Sequence, residues 1–104
     1  MSKQDLFNRI KSTISAFDKN ATIILYGSRV RGDFSQDSDW DFLILLSRQF
    51  GIKEKSLLRH NLYEIELETG EIISALFYEK EHWQSKKNQY SPFYKNIAQD
   101  GMVV

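Results

Sequence analysis

"YGSRVRGDFSQDSDWDFLILL", residues 26–46, decides the fold. Its last part, WDFLILL at 40–46, is a nearly continuous apolar run of the kind that forms a strand buried on both faces. TIILY at 22–26 reads the same way, and Gly27 ends it. The link between the two runs carries Gly32, Asp33, Ser35, Asp37 and Ser38, which suits a loop. A short helical turn starting at Ser28 fits within Arg29 to Gly32. Two acids, Asp39 and Asp41, stand where the second strand begins, one residue apart. Residues two apart on a strand project to the same side. Both carboxylates therefore point one way, while Trp40 and Phe42 point the other.

Working outward, Leu6, Phe7, Ile10, Ile14 and Phe17 recur at three- and four-residue spacing and predict one apolar face of a helix. DKNA at 18–21 breaks that pattern. Downstream, GIKEKSLLRHN predicts a short helix using Ile52, Leu57 and Leu58. In the next run, Leu62, Glu64, Glu66 and Glu68 alternate with Tyr63, Ile65 and Leu67, and ETGE follows. This reads as a hairpin with strands near 62–68 and 71–78. Glu79 to Lys87 reads as helical, and Ser91 before Pro92 as an N-cap with proline at the first helical position. Gly101 is the expected stop, and the apolar tail GMVV is free to join the sheet, dock on a partner or fray. The expectation is an α/β (α+β) fold, a mixed sheet flanked by helices, in a single domain spanning 1–104.

Composition narrows the function classes. The chain has 104 residues, enough for one modest core. Fourteen Lys and Arg balance fourteen Asp and Glu, so no strong field points to nucleic acid or to an anionic membrane. With no cysteine, disulfides and thiolate zinc sites are excluded. No apolar run approaches the ~20 residues that span a bilayer. MSKQDLFNRIK is polar and has no signal-peptide apolar region, so a cytoplasmic protein is expected.

Two carboxylates held side by side repel each other unless one takes a proton or a cation lies between them. Magnesium suits the pair Asp39 and Asp41, because it prefers oxygen ligands and commonly shares carboxylates with substrate phosphates. Gly27 at a strand end lets a phosphate approach the backbone. A helix starting at Ser28 offers N–H groups and the positive end of a dipole. Arg29 and Arg31 are nearby cations, either of which could neutralise phosphate charge. The competing structural reading is an acidic turn, whose carboxylates cap backbone N–H groups.

These residues carry a resemblance. The strand, Gly27–Ser28, Arg31–Gly32, Ser38–Asp39, the Asp-x-Asp pair and the following strand resemble the signature of the minimal nucleotidyltransferase family, within the DNA polymerase β-like superfamily. The resemblance implies transfer of a nucleoside monophosphate, AMP above all, from a nucleoside triphosphate such as ATP to an acceptor hydroxyl, with release of pyrophosphate. It implies that Gly27, Ser28 and Arg31 bind the triphosphate, and that Asp39 and Asp41 are catalytic and hold Mg2+. Many minimal members pair with a small helical toxin protein and act as its antitoxin, some by adding AMP to a tyrosine of the toxin.

Two departures qualify the implication. Members of the family carry a third carboxylate on a neighbouring strand, and its best match here is Ser74 in EIISALF. On the hairpin reading, Glu64 or Glu66 reaches in from the preceding strand, or forms a solvent-facing row with Glu68. Larger relatives also carry a helical domain that holds the nucleoside or acceptor, so a protein partner or a homo-oligomer is expected to complete the site. The alternative function is a catalytically weak relative acting as a binding or antitoxin module. His60 and His82 are single and far apart, which argues against metal ligation. His82 with Trp83 is expected to cover the sheet from a helix. Tyr90, Phe93 and Tyr94 read as core packing ahead of a stacking platform.

Overall fold

A computed structural model describes residues 2–104. Helix α1 (Lys3–Phe17) leads into β1 (Thr22–Tyr26), a single turn α2 (Ser28–Arg31) and β2 (Trp40–Leu46). Next come α3 (Ile52–Thr69), β3 (Ile73–Glu79), three shorter helices α4 (Lys80–Trp83), α5 (Lys86–Gln89) and α6 (Pro92–Asp100), and β4 (Met102–Val103). The four strands form one mixed sheet in the order β3-β2-β1-β4. β1 runs antiparallel to β2 and β4, and β2 runs parallel to β3. No helix among the described residues is long and apolar enough to cross a membrane.

The expected helix at the start begins at Lys3 and is fixed by a capping box, in which the Ser2 hydroxyl accepts from Asp5 N and the Asp5 carboxylate from Ser2 N. Its buried face is Leu6, Phe7, Ile10 and Ile14. Together with Leu58, Leu62 and Ile65 of α3, this face covers one side of the sheet. On the sheet it meets Ile23 and Leu25 of β1, Phe42, Ile44 and Leu46 of β2, and Ala75 and Phe77 of β3. The other side is covered more thinly, with Leu43 and Leu45 of β2 packing on Trp83 of α4 and Ile97 of α6. The central strand β2 is thus buried on both faces, as its continuous apolar run predicts. β1 alternates between buried and half-buried residues.

The hairpin expected at 62–78 is corrected. Residues 62–68 continue the helix that begins at Ile52, and only the second predicted strand exists, as β3. Parallel pairing of β2 with β3 explains this, because parallel neighbours need a long crossover and α3 supplies it. The alternating glutamates are incidental to that helix. Leu58, Leu62 and Ile65 carry the burial at helical spacing, and Leu and Glu are good helix formers. Gly70, at φ 76°, ends the helix in the left-handed conformation that glycine adopts without strain.

The helix expected at 79–87 is split into α4 and α5, with Ser85 capping the second through Asn88 N. Ser91 caps α6 by accepting from Tyr94 N, with Pro92 in the first turn, as its sequence predicts. The tail takes the first of its three open fates, since β4 pairs Met102 with Leu25 and Val103 with Ile24. Trp83 is buried against the sheet, while His82 is exposed and stacks on Tyr78 at 5.8 Å. Phe93 and Tyr94 pack on Trp83 with centroid distances of 5.7 and 5.1 Å, whereas Tyr90 is exposed.

Candidate active site

The sheet register brings the signature residues to one place. Asp41 on β2 stands opposite Tyr26 on β1 and beside Ser74 on β3. The chain turns immediately after Tyr26 through Gly27, whose φ of 83° lies in the region that glycine alone enters cheaply. A Cβ at Gly27 would stand 2.5 Å from Asp41 Oδ2. The turn and the carboxylate are therefore in direct contact, and only the missing side chain makes room for both. Asp41 is half-buried and lies on the sheet face of Leu43 and Leu45, opposite Phe42 and Ile44. Asp39 is exposed at the mouth of β2.

The electrostatics follow from this placement. Burial first, and then the charge of Asp39, push the Asp41 carboxyl above the ordinary carboxylate range, against an opposing pull from Arg31. Burial and a neighbouring acid disfavour the charged Asp41, one cation compensates in part, and the two carboxylates offer oxygen donors of the kind that suit a hard divalent ion. Burial also raises the Tyr26 phenol, followed by the charge of Asp41. Arg31 is half-exposed and lies 3.5 Å from Asp33. Ser28 opens α2, with Gly27 O accepting from Val30 N and Arg31 N.

Arg29 and Arg31 are both near the turn in sequence, with only Arg31 assigned to the triphosphate by resemblance, and the structure separates them. The Arg29 side chain is only 8% exposed, so it is turned into the protein. Its guanidinium lies 4.2 Å from the Trp40 ring centre and 4.7 Å from that of Phe34. Nη2 donates to Ser38 O at 2.8 Å and to Gln36 O at 3.2 Å. Glu71 completes the cluster, 3.8 Å from Arg29 and accepting from Trp40 Nε1 at 2.8 Å. Arg29 thus grips the loop residue immediately before Asp39. The signal that sequence reasoning missed is the pair of aromatic residues flanking the loop, Phe34 and Trp40, between which a planar cation stacks.

The third carboxylate is not supplied from α3. Glu66 accepts from Ile73 N at 3.1 Å, Glu64 lies beside His60 at 3.4 Å, and Glu68 pairs with Arg9 at 2.7 Å. Their helix packs on the face of the sheet opposite Asp41. No group of three or more His, Cys, Asp or Glu side chains able to hold a metal occurs among the described residues. The hydroxyl of Ser74 is what the neighbouring strand presents beside Asp41.

A mixed sheet with an Asp-x-Asp pair at the mouth of β2, its second acid in the strand and set against a Gly-Ser turn, is consistent with the fold of a nucleotidyltransferase. The model of the polymerase beta nucleotidyltransferase family matches residues 8–104, and the chain belongs to that family. Two proteins of Methanocaldococcus jannaschii, both provisionally named protein adenylyltransferases, are similar to it. One is 33% identical over 78 residues, covering 73% of this chain and 79% of the relative. The other is 31% identical over 105 residues, covering 97% of this chain and 92% of the relative.

Proposed function

We propose that this chain is a magnesium-dependent nucleotidyltransferase of the cytoplasm that moves AMP from ATP to a hydroxyl of a partner protein. The observation that carries the proposal is the contact between Gly27 and the Asp41 carboxylate, with Asp39 close enough to perturb it. Phosphate and metal ligands must meet at one point for this chemistry, and the contact of Gly27 with Asp41 supports that reading. In the reaction, the acceptor oxygen attacks the α-phosphorus and forms the new ester bond. The bond from that phosphorus to the bridging oxygen breaks, pyrophosphate leaves, and the hydroxyl proton is released.

Each residue has a part in this reading. Gly27 and the first N–H groups of α2 receive phosphate oxygens, Ser28 adds a hydroxyl donor, and Arg31 offsets the triphosphate charge. Asp39 and Asp41 would hold magnesium, which when bound supplies charge neutralisation to the triphosphate. With Ser74 beside Asp41, β3 presents no carboxylate there to receive the hydroxyl proton, and on this reading the acceptor is itself readily deprotonated or brings its own base. Both relatives are provisionally named as acting on proteins, which supports a protein acceptor. A small helical toxin, with this chain as its antitoxin, is the partner that the family resemblance suggests.

The test is incubation with each labelled NTP, magnesium and candidate partners. Transfer of label from ATP is expected, and it should vanish when Asp39→Ala and Asp41→Ala are combined. A folded protein that labels no acceptor would favour the second reading, a binding module without chemistry, which Ser74 supports. On that reading the double variant keeps both partner binding and any neutralising effect.

A further inference from the structure

We infer that the cavity between the end of β1 and α6 is a nucleobase pocket, in which Asn96 and Asp100 select adenine. The inference rests on the nucleotide-binding reading above and names the part of the substrate that the signature residues do not reach. The cavity has a volume of about 210 Å3 and is lined by Tyr26, Gly27, Arg31, Phe93, Asn96, Ile97 and Asp100. It shares Gly27 and Arg31 with the proposed phosphate site, so a nucleotide whose phosphates lie on the turn has this hollow within reach. Its size is below the ~300 Å3 at which pockets begin to enclose whole drug-sized ligands, and suits one ring system rather than an entire nucleotide.

The lining has the chemistry of a base site. Tyr26 and Phe93 meet edge to face at 5.4 Å and present an aromatic wall on which any base can stack. Ile97 is buried and closes the floor. Asn96 is exposed and Asp100 half-exposed, so their polar groups remain open to a ligand. An amide both donates and accepts, and is suited to the N6 and N7 edge of adenine. A carboxylate only accepts, and so favours a base carrying an exocyclic amine over one carrying a carbonyl at the same position. Gly101 brings the chain straight from α6 into β4, whose pairing with Leu25 and Ile24 fixes the end of α6 beside the end of β1. The short final strand, which buries little itself, thereby sets the position of Asp100.

The experiment compares equilibrium binding of ATP, ITP and inorganic tripolyphosphate, each with magnesium, to the full chain. ITP replaces the adenine amine with a carbonyl. Tripolyphosphate reads the phosphate turn alone. The wild-type protein is expected to prefer ATP over ITP by about tenfold, the usual order for one misplaced hydrogen-bonding group. Asp100→Ala should bring ATP and ITP to within about threefold of each other, and Asn96→Ala should weaken ATP binding by about three- to tenfold, at unchanged tripolyphosphate affinity. Equal affinity of the wild type for ATP and ITP would overturn the pocket, as would folded variants, checked by their thermal melts, with the wild-type ATP preference. If tripolyphosphate and ATP both fail to bind, the underlying nucleotide reading falls. If both bind and only the base preference is missing, the pocket alone falls.

Discussion

Among the described residues, sixteen buried side chains form the cluster on the α1–α3 side of the sheet, and four form the cluster on the other side. The first side is closed by two helices of 15 and 18 residues, the second by helices of 4 and 9 residues that leave the mouth of β2 uncovered. Asp41, Ser74 and Tyr26 lie on the thinly covered side. The difference shows how a small domain separates two demands. One face supplies most of the apolar burial, and so the other can hold a half-buried carboxylate, Asp41, that stability alone would not favour. Phe42 and Asp41 are neighbours in sequence and belong to different faces, so substituting each in turn tests the division.

The largest expected effect is on chemistry. Replacing Asp39 and Asp41 with alanine should lower transfer by roughly 10³-fold or more, as removal of charge-stabilising groups at an active site commonly does. The same double variant should melt at or above the wild-type temperature, because burial and mutual repulsion both disfavour the charged Asp41 in the fold. Phe42→Ala should behave in the opposite way. Phe42 is fully buried and meets Phe7 edge to face at 6.0 Å. Its truncation should cost about 3–5 kcal/mol of unfolding free energy by urea titration. A double variant as destabilised as Phe42→Ala would show that the acids are structural and that the faces are not divided in this way.

The same division explains what could be read in the sequence. Strand β2 is legible because burial on both faces leaves an unbroken apolar run, and Asp39 and Asp41 interrupt it only at its mouth. Gly27 and Ser28 are legible because a strand end and a turn are local events. Helix α3 is obscured by its own exposed side. Ile52, Leu57, Tyr63 and Leu67 are all exposed, so apolar residues appear on every face and the glutamate alternation imitates a strand. Only the spacing of Leu58, Leu62 and Ile65 carries the helical signal. The roles of Arg29 and of the α6 cavity depend on contacts between residues distant in sequence or across a loop, which local pattern does not encode.

Asp18, where the closed face ends, offers a smaller and pH-dependent effect. It is buried, and its carboxylate accepts from Ser47 N at 2.6 Å, Ser47 Oγ at 2.7 Å and Asn20 N at 3.1 Å. Burial pushes its carboxyl up, but these hydrogen bonds and the nearby charge of Lys80 outweigh it, and the pKa falls below the ordinary value. A depressed folded-state pKa stabilises the fold above the unfolded pKa of about 4, and that contribution is lost as pH falls through the folded value. Asp18→Asn should therefore cost about 1–3 kcal/mol at pH 7. The gap in urea midpoint between wild type and variant should narrow as pH is lowered toward 3. A gap that stays constant would mean that the charge of Asp18 contributes nothing.

Arg29 is where the two faces touch, and its substitution should have the smallest effect. It stacks on Trp40, which belongs to the closed core, and holds the carbonyl of Ser38, which precedes Asp39. Through that contact the rigid face can fix the position of an acid on the open one. Arg29→Lys keeps the charge but loses the planar fork that stacks and donates together. The fold should survive, since the charge beside Glu71 is kept and only the two aromatic contacts and two hydrogen bonds of the guanidinium change. If Asp39 holds magnesium as proposed, the magnesium concentration needed for half-maximal nucleotide binding should rise about three- to tenfold, because a looser loop presents that carboxylate less often to the ion. A role confined to stability would lower the melting temperature and leave the magnesium midpoint where it was. That outcome would show that Asp39 is placed by the strand alone, and that the open face orders its acids without help from the closed one.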